Sequence, residues 1–279
     1  MVTKENHLNP ITSFIKRHPQ VTFWGIAWST SFFGFYMRAL YPSDLWLFFI
    51  YGSFLGGALV TAIADGPSGL KTYFSRIARW RVGLKWIAIA LFLPLALRLV
   101  AFSLNIASGA KMSTNFQLPG WANLIFGFLF ILIIVSLGEE PGFRGFALPR
   151  LLVGRSALSA ALILGVMHTI WHLPLFVTGE DSLIIVPIII SGSILNTWLF
   201  NRTNGSVFIS MFLHASVNLW VDVFNPLFSS ADAVRQTIWL AVAYVAIAIL
   251  LPILTGKELG RRSEGAMGAK VVEQPMVAD

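Results

Sequence analysis

The stretch LIFGFLFILIIVSLGEEPGFRG, residues 124–145, decides how the chain must be read. An almost unbroken apolar run, 124–137, meets two adjacent carboxylates, Glu139 and Glu140, then a proline and Arg144. If the run lies in a bilayer, each charge near its centre costs roughly 2.5–3.5 kcal/mol. Partners from elsewhere in the chain must offset that cost.

The rest of the sequence supports the bilayer. Of 279 residues, 56% are hydrophobic and 12% charged, with 10 Trp and 23 Phe; soluble domains carry about 25% charged residues. The chain therefore reads as an integral membrane protein. It has no cysteine, which excludes disulfides, thiolate zinc sites and a cysteine nucleophile. The net charge of +7 does not point to nucleic acid, because the basic residues flank apolar runs, as they do at a cytoplasmic membrane surface.

A span needs about 20 apolar residues. Eight candidates follow: 21–40, 43–65, 85–104, 121–152, 156–177, 183–201, 205–224 and 236–255. Eight spans with a cytoplasmic N-terminus put all of the 20 Lys and Arg on the inner side except Arg38, Arg98, Lys111 and Arg235. The expected fold is thus an all-α polytopic helix bundle of about eight transmembrane helices, both termini cytoplasmic, in the cell membrane of a prokaryote. The expected division is a cytoplasmic N-terminal segment (1–20), N-terminal transmembrane helices (21–120), a catalytic core (121–224), a last span (225–255) and a disordered tail (256–279). No cleavable signal is evident, so the first apolar run reads as a retained span. The basic, aromatic segment KTYFSRIARWRVGLKW, 71–86, either lies along the inner surface or serves as a loop that sets topology.

Three polar constellations interrupt the apolar spans: Glu139, Glu140 and Arg144 on the fourth; His168 and His172 on the fifth; His214 and Asn218 on the seventh. Ionisable residues in a membrane usually face a bundle interior or a wet cavity and are functional. Spacing of four puts His168 with His172, His214 with Asn218, and Glu140 with Arg144 on shared helix faces. Glu139 points about 100° away from Glu140. One acid is then paired and the other free, an arrangement that lets two carboxylates take separate roles.

Depth is the harder condition. If the fourth helix ended at Glu140, at the inner surface, His172 would stand about 24 Å away along the fifth. If the helix continues to about Leu152, kinked at Pro141, all three constellations fall within about 10 Å in depth. The continuous helix is the reading adopted.

A carboxylate and a neutral imidazole converging on one point can hold and deprotonate a water. A second histidine with an asparagine supplies donors for an oxyanion. Together they read as amide hydrolysis inside the membrane. Glu139, His172 and His214 are also a candidate Zn2+ set, with His168 the weaker fourth donor. The arrangement is not an HExxH site, and Ser210, four residues before His214, has no clear acid partner.

At these residues the sequence resembles a known family. EEPGFR looks like its EExxxR motif, WHLP like its second, histidine-bearing motif, and HASVN like its HxxxN, in the same order over 139–218. The chain thereby resembles the CAAX protease and bacteriocin-processing family, intramembrane endopeptidases related to type II CAAX prenyl proteases. The resemblance implies that Glu139 and His172 activate the attacking water. It implies that His214 and Asn218 stabilise the oxyanion, while Glu140 and Arg144 shape the site. The implied substrate is a peptide or lipidated peptide held in the bilayer. His168 departs from the pattern, since the family usually has an aromatic there, and this adds weight to a metal. The family has been described both as metalloprotease and as glutamate-dependent, and the sequence leaves both open. Two rival classes use the same groups: a non-catalytic self-immunity or peptide-export scaffold, and a proton-coupled transporter, in which buried Glu and His serve as relays.

Overall fold

The computed structural model describes residues 9–114 and 117–261. Among them every regular element is helical: α1 (Pro10–Arg17), α2 (Pro19–Leu40), α3 (Asp44–Ile77), α4 (Leu84–Ala107), α5 (Trp121–Leu151), α6 (Ala157–Trp171), α7 (Leu173–Thr178), α8 (Leu183–Arg202), α9 (Val207–Leu227) and α10 (Ala231–Thr255). Six of these, α3, α4, α5, α8, α9 and α10, are long and apolar enough to cross a membrane. The protein is a multi-pass membrane bundle. About eight spans were expected; α2 and the fifth candidate are not among these six.

That fifth candidate, 156–177, is not one helix. α6 is apolar but stops at Trp171, and α7 restarts at Leu173. Pro174 explains the break: its ring disfavours helical backbone at the residue before it, and it has no N–H to give. His172 sits in the joint, its own N–H still bonded to the His168 carbonyl. The break places His172 at a helix end, where its side chain meets the following loop.

α5 runs unbroken through the acidic stretch to Leu151, as the depth argument required. The strain around Pro141 is absorbed by wide π-helical turns at Ile131–Ser136 and Pro141–Ala147. Such turns recur at functional sites. They coincide with very close packing on α3. A Cβ at Gly142 would lie 2.5 Å from the Ser53 carbonyl oxygen, and one at Gly138 would lie 2.8 Å from Ile50 Cγ2. Small residues let two membrane helices approach to backbone contact, where dispersion holds them.

α3 itself bends at Gly66, whose φ of +69° and ψ of −161° leave the helical region. Residues 67–77 then pack back onto the bundle. The Tyr73 hydroxyl donates to the Phe54 carbonyl at 2.8 Å, and Arg76 Nη1 donates to the Gly145 carbonyl at 3.2 Å. The start of the basic segment is therefore docked against α5, with Tyr73 fully buried.

Beside a smaller cluster around Phe224 and Phe228, two large apolar cores result. One joins α2, α3, α5 and α6 through Phe23, Trp24, Tyr73, Phe143, Phe146 and Trp171. The other joins α4, α8, α9 and α10 through Ala101, Leu195, Leu199, Ile209, Leu213 and Tyr244. The polar residues of α5 lie between them. Arg98, assigned to the outer side by charge counting, is buried within α4 and donates to Asn225 Oδ1 at 3.4 Å.

The expected disordered tail also needs correction. Gly256–Arg261 folds back onto the bundle: Leu259 is fully buried, Asn201 Nδ2 donates to the Glu258 carbonyl at 3.3 Å, and Arg261 donates to the carbonyls of Leu152 and Arg155. The remainder of that tail, 262–279, and residues 1–8 of the N-terminal segment lie outside the described residues.

Candidate active site

Adjacent positions on α5 send the two acids in different directions. Glu140 faces α8 and α9. Its Oε1 accepts from Arg144 Nη1 at 3.0 Å and from His214 Nδ1 at 2.8 Å, and its Oε2 accepts from Asn196 Nδ2 at 3.3 Å. Glu140 and Arg144 are 1% and 2% exposed. A carboxylate removed from water is tolerable when its lone pairs are claimed in this way.

Glu139 faces α6. It is buried, and its Oε2 lies 3.3 Å from His168 Nε2. Neither atom has a well-directed hydrogen bond, so this is close approach rather than a bond. Two unclaimed polar atoms in a bundle interior are available to a ligand that can donate or accept. The sequence had placed His172 against Glu139 and set His168 aside. The structure puts His168 there, with Phe143 packed on its ring at 4.7 Å between centroids.

His172 stands one place further out, its ring centroid 5.1 Å from that of His168. Its Nδ1 lies 2.9 Å from Asp181 Oδ2, across the break between α6 and α7. His172 and His214 thus each engage a carboxylate through Nδ1. Such a partner fixes tautomer and ring orientation and leaves Nε2 for chemistry. Both rings are partly open, 19% and 13% exposed, in contrast to the sealed Glu140.

Asn218 lies one turn beyond His214 on α9, half-buried, and its side chain makes no hydrogen bond among the described residues. Ser210 is fully buried and donates back to the Ser206 carbonyl, so it is spent within its own helix. Trp171, Trp198 and Trp220 are packing residues, against Phe35, Trp86 and Phe224 respectively.

Two residues of this network escaped the sequence reading. Asn196 is an amide in the middle of the apolar run of α8, and that placement was its only signal. Asp181 lies in a loop, where an acid needs no explanation. Only the chain reversal at 179–182 brings it to His172.

The donors suit Zn2+ in one respect and not in another. Their chemistry suits it: two imidazoles held at Nδ1 by carboxylates, beside an unclaimed carboxylate. Their spacing does not, because among the described residues no three His, Asp or Glu side chains stand close enough to hold an ion together.

The fold and this site define a class: a multi-pass membrane protein whose bundle encloses two acids and three imidazoles contributed by separate helices. Comparison with known proteins makes the class specific. Residues 121–220 match the family model described as "Type II CAAX prenyl endopeptidase Rce1-like". A protein of Methanococcus maripaludis named CAAX prenyl protease 2 is 23% identical over 210 residues, covering 70% of this chain and 75% of that protein. Over these residues the chain is similar to type II CAAX prenyl endopeptidases. The matched region holds α5 to α9 up to Trp220, and so every polar group of the site.

Proposed function

We propose that the protein is an intramembrane endopeptidase in which Glu139 activates the hydrolytic water. The carrying observation is the state of Glu139: a carboxylate enclosed by helices, unclaimed by hydrogen bonds, with an imidazole 3.3 Å away. Burial excludes bulk water and strengthens every electrostatic interaction within the site. A structural acid would be expected to resemble Glu140, with its lone pairs filled.

In this reading the water donates to Glu139 as its oxygen bonds to the peptide carbonyl carbon. His172, its Nδ1–H given to Asp181, offers the Nε2 lone pair to the same water. Asn218 and His214 are assigned to the oxyanion that develops on the carbonyl oxygen. His214 donates there from Nε2 as an imidazolium whose charge Glu140 balances. The carbon–nitrogen bond then breaks, and the proton held by Glu139 passes to the departing amine. Water is consumed, one acid and one amine are released, and the protein is unchanged. Glu140 and Arg144 keep α5 and α9 in register.

The substrate class follows from location and relatives: a peptide, lipidated or not, that enters from the bilayer. Purified protein in liposomes should cleave peptides ending in a Cys-aliphatic-aliphatic-X sequence, tested with and without a prenyl group on the cysteine. Glu139→Gln should lower kcat by about 10²–10⁴-fold, the usual contribution of a positioned general base. Stripping metal with a strong chelator separates a glutamate enzyme, which keeps its activity, from a zinc enzyme. Full cleavage by Glu139→Gln overturns the proposal, and a phenotype that survives without any cleavage favours the scaffold reading.

A further inference from the structure

We infer that Asp181 is a positioning residue for His172, delivered by a loop pinned at three points. The inference rests on the hydrolytic reading of the site but concerns a residue outside the motifs that define it. It begins in the local chain. α7 ends at Gly179, whose φ of +78° reverses the chain in a left-handed cap. The Asp181 N–H donates to the Leu175 carbonyl at 3.0 Å, closing the turn. Ser182 Oγ then accepts from the Ile184 N–H at 3.3 Å and starts α8. The third pin is a side chain: Glu180 Oε2 pairs with Arg38 Nη1 at 2.5 Å, and Arg38 lies in the last turn of α2.

A loop of four residues held this way has little freedom, and it places Asp181 Oδ2 at 2.9 Å from His172 Nδ1. Stability alone does not account for the contact. Asp181 is 28% exposed, so water could solvate it without a protein partner, and partly exposed ion pairs add little to folding. The histidine gains more than the acid does. Donating Nδ1–H to a carboxylate commits the imidazole to the tautomer whose Nε2 is a lone pair, and stops the ring from turning. His172 needs that restraint because its ring is partly open, so packing alone does not stop it from turning.

The arrangement also links α2 to the chemistry. Arg38, through Glu180, sets the position of the loop, and its second contact with Asp44 at 3.8 Å ties the same guanidinium to the start of α3. Residues separated by more than a hundred positions therefore share one task.

The test has two readouts. Protein labelled with ¹⁵N-histidine contains five imidazoles; His172 is assigned by its loss in His172→Gln. The wild type should show His172 protonated at Nδ1, and Asp181→Asn should shift it toward protonation at Nε2. Kinetics should follow: Asp181→Asn and Asp181→Ala should lower kcat about 10–100-fold, the usual effect of removing a histidine's carboxylate partner. KM should stay within about twofold, because a positioning role acts through His172 rather than through substrate binding. Asp181→Glu should recover part of kcat, and Arg38→Gln should give a smaller loss of the same kind. The melting temperature should not move in any of them. A wild-type His172 protonated at Nε2, or unchanged kcat in Asp181→Ala, overturns the inference. The tautomer is read without turnover, so failure of the protease reading, shown by an active Glu139→Gln, is a separate result.

Discussion

Replacing Arg144 with methionine isolates the contribution of the buried ion pair. The two side chains are 3% and 1% exposed, and Arg144 Nη1 is 3.0 Å from Glu140 Oε1. Removing one partner of such a pair leaves an uncompensated buried charge, at a cost of about 3–5 kcal/mol. Glu140 would keep His214 at 2.8 Å and Asn196 at 3.3 Å, so the lower end, about 3 kcal/mol, is expected. Glu140→Gln in the same background removes the stranded charge while keeping an acceptor for His214. The double variant should therefore be at least as stable as Arg144→Met alone, with a coupling of about 2 kcal/mol or more from the double-mutant cycle. Equilibrium unfolding in mixed micelles, followed by tryptophan fluorescence and circular dichroism, measures all four corners. If Arg144→Met loses under about 1 kcal/mol, or the two losses simply add, Glu140 is not held by Arg144 and the division of labour between the two acids fails.

Two further substitutions probe the site's frame and its oxyanion side. Gly142→Ala should destabilise by about 1–3 kcal/mol, because the new methyl meets the Ser53 backbone, which cannot rotate away; Gly192→Ala, where nothing lies within 4 Å, is the matched control and should be close to neutral. Asn218→Ala should lower kcat by about 10²–10³-fold, as loss of an oxyanion donor does, without moving the unfolding midpoint, since its amide bonds no protein group among the described residues. An equal fall in stability and activity would make Asn218 a packing residue.

Much of the protein was legible in its order of residues. Hydropathy is a local sum, so apolar runs of about 20 residues located the helices. The cost of charge in lipid marked Glu139, Glu140, Arg144, His168, His172, His214 and Asn218 as groups that must meet. Depth along the helix axis, a product of residue number and rise, required α5 to pass through GEEPGFRG. The pairings were a different matter. That Glu139 approaches His168, and Glu140 takes His214 and Asn196, depends on how each helix is rotated about its own axis. Wide turns in α5 and close glycine packing on α3 accompany the observed rotation, and no periodicity within one segment encodes it. Asp181 belongs to His172 only because α6 breaks before Pro174 and the chain reverses at Gly179. The sequence determined which side chains must leave the lipid and at what level. Tertiary structure decided which of them touch, because contacts between distant segments are fixed by packing the whole bundle.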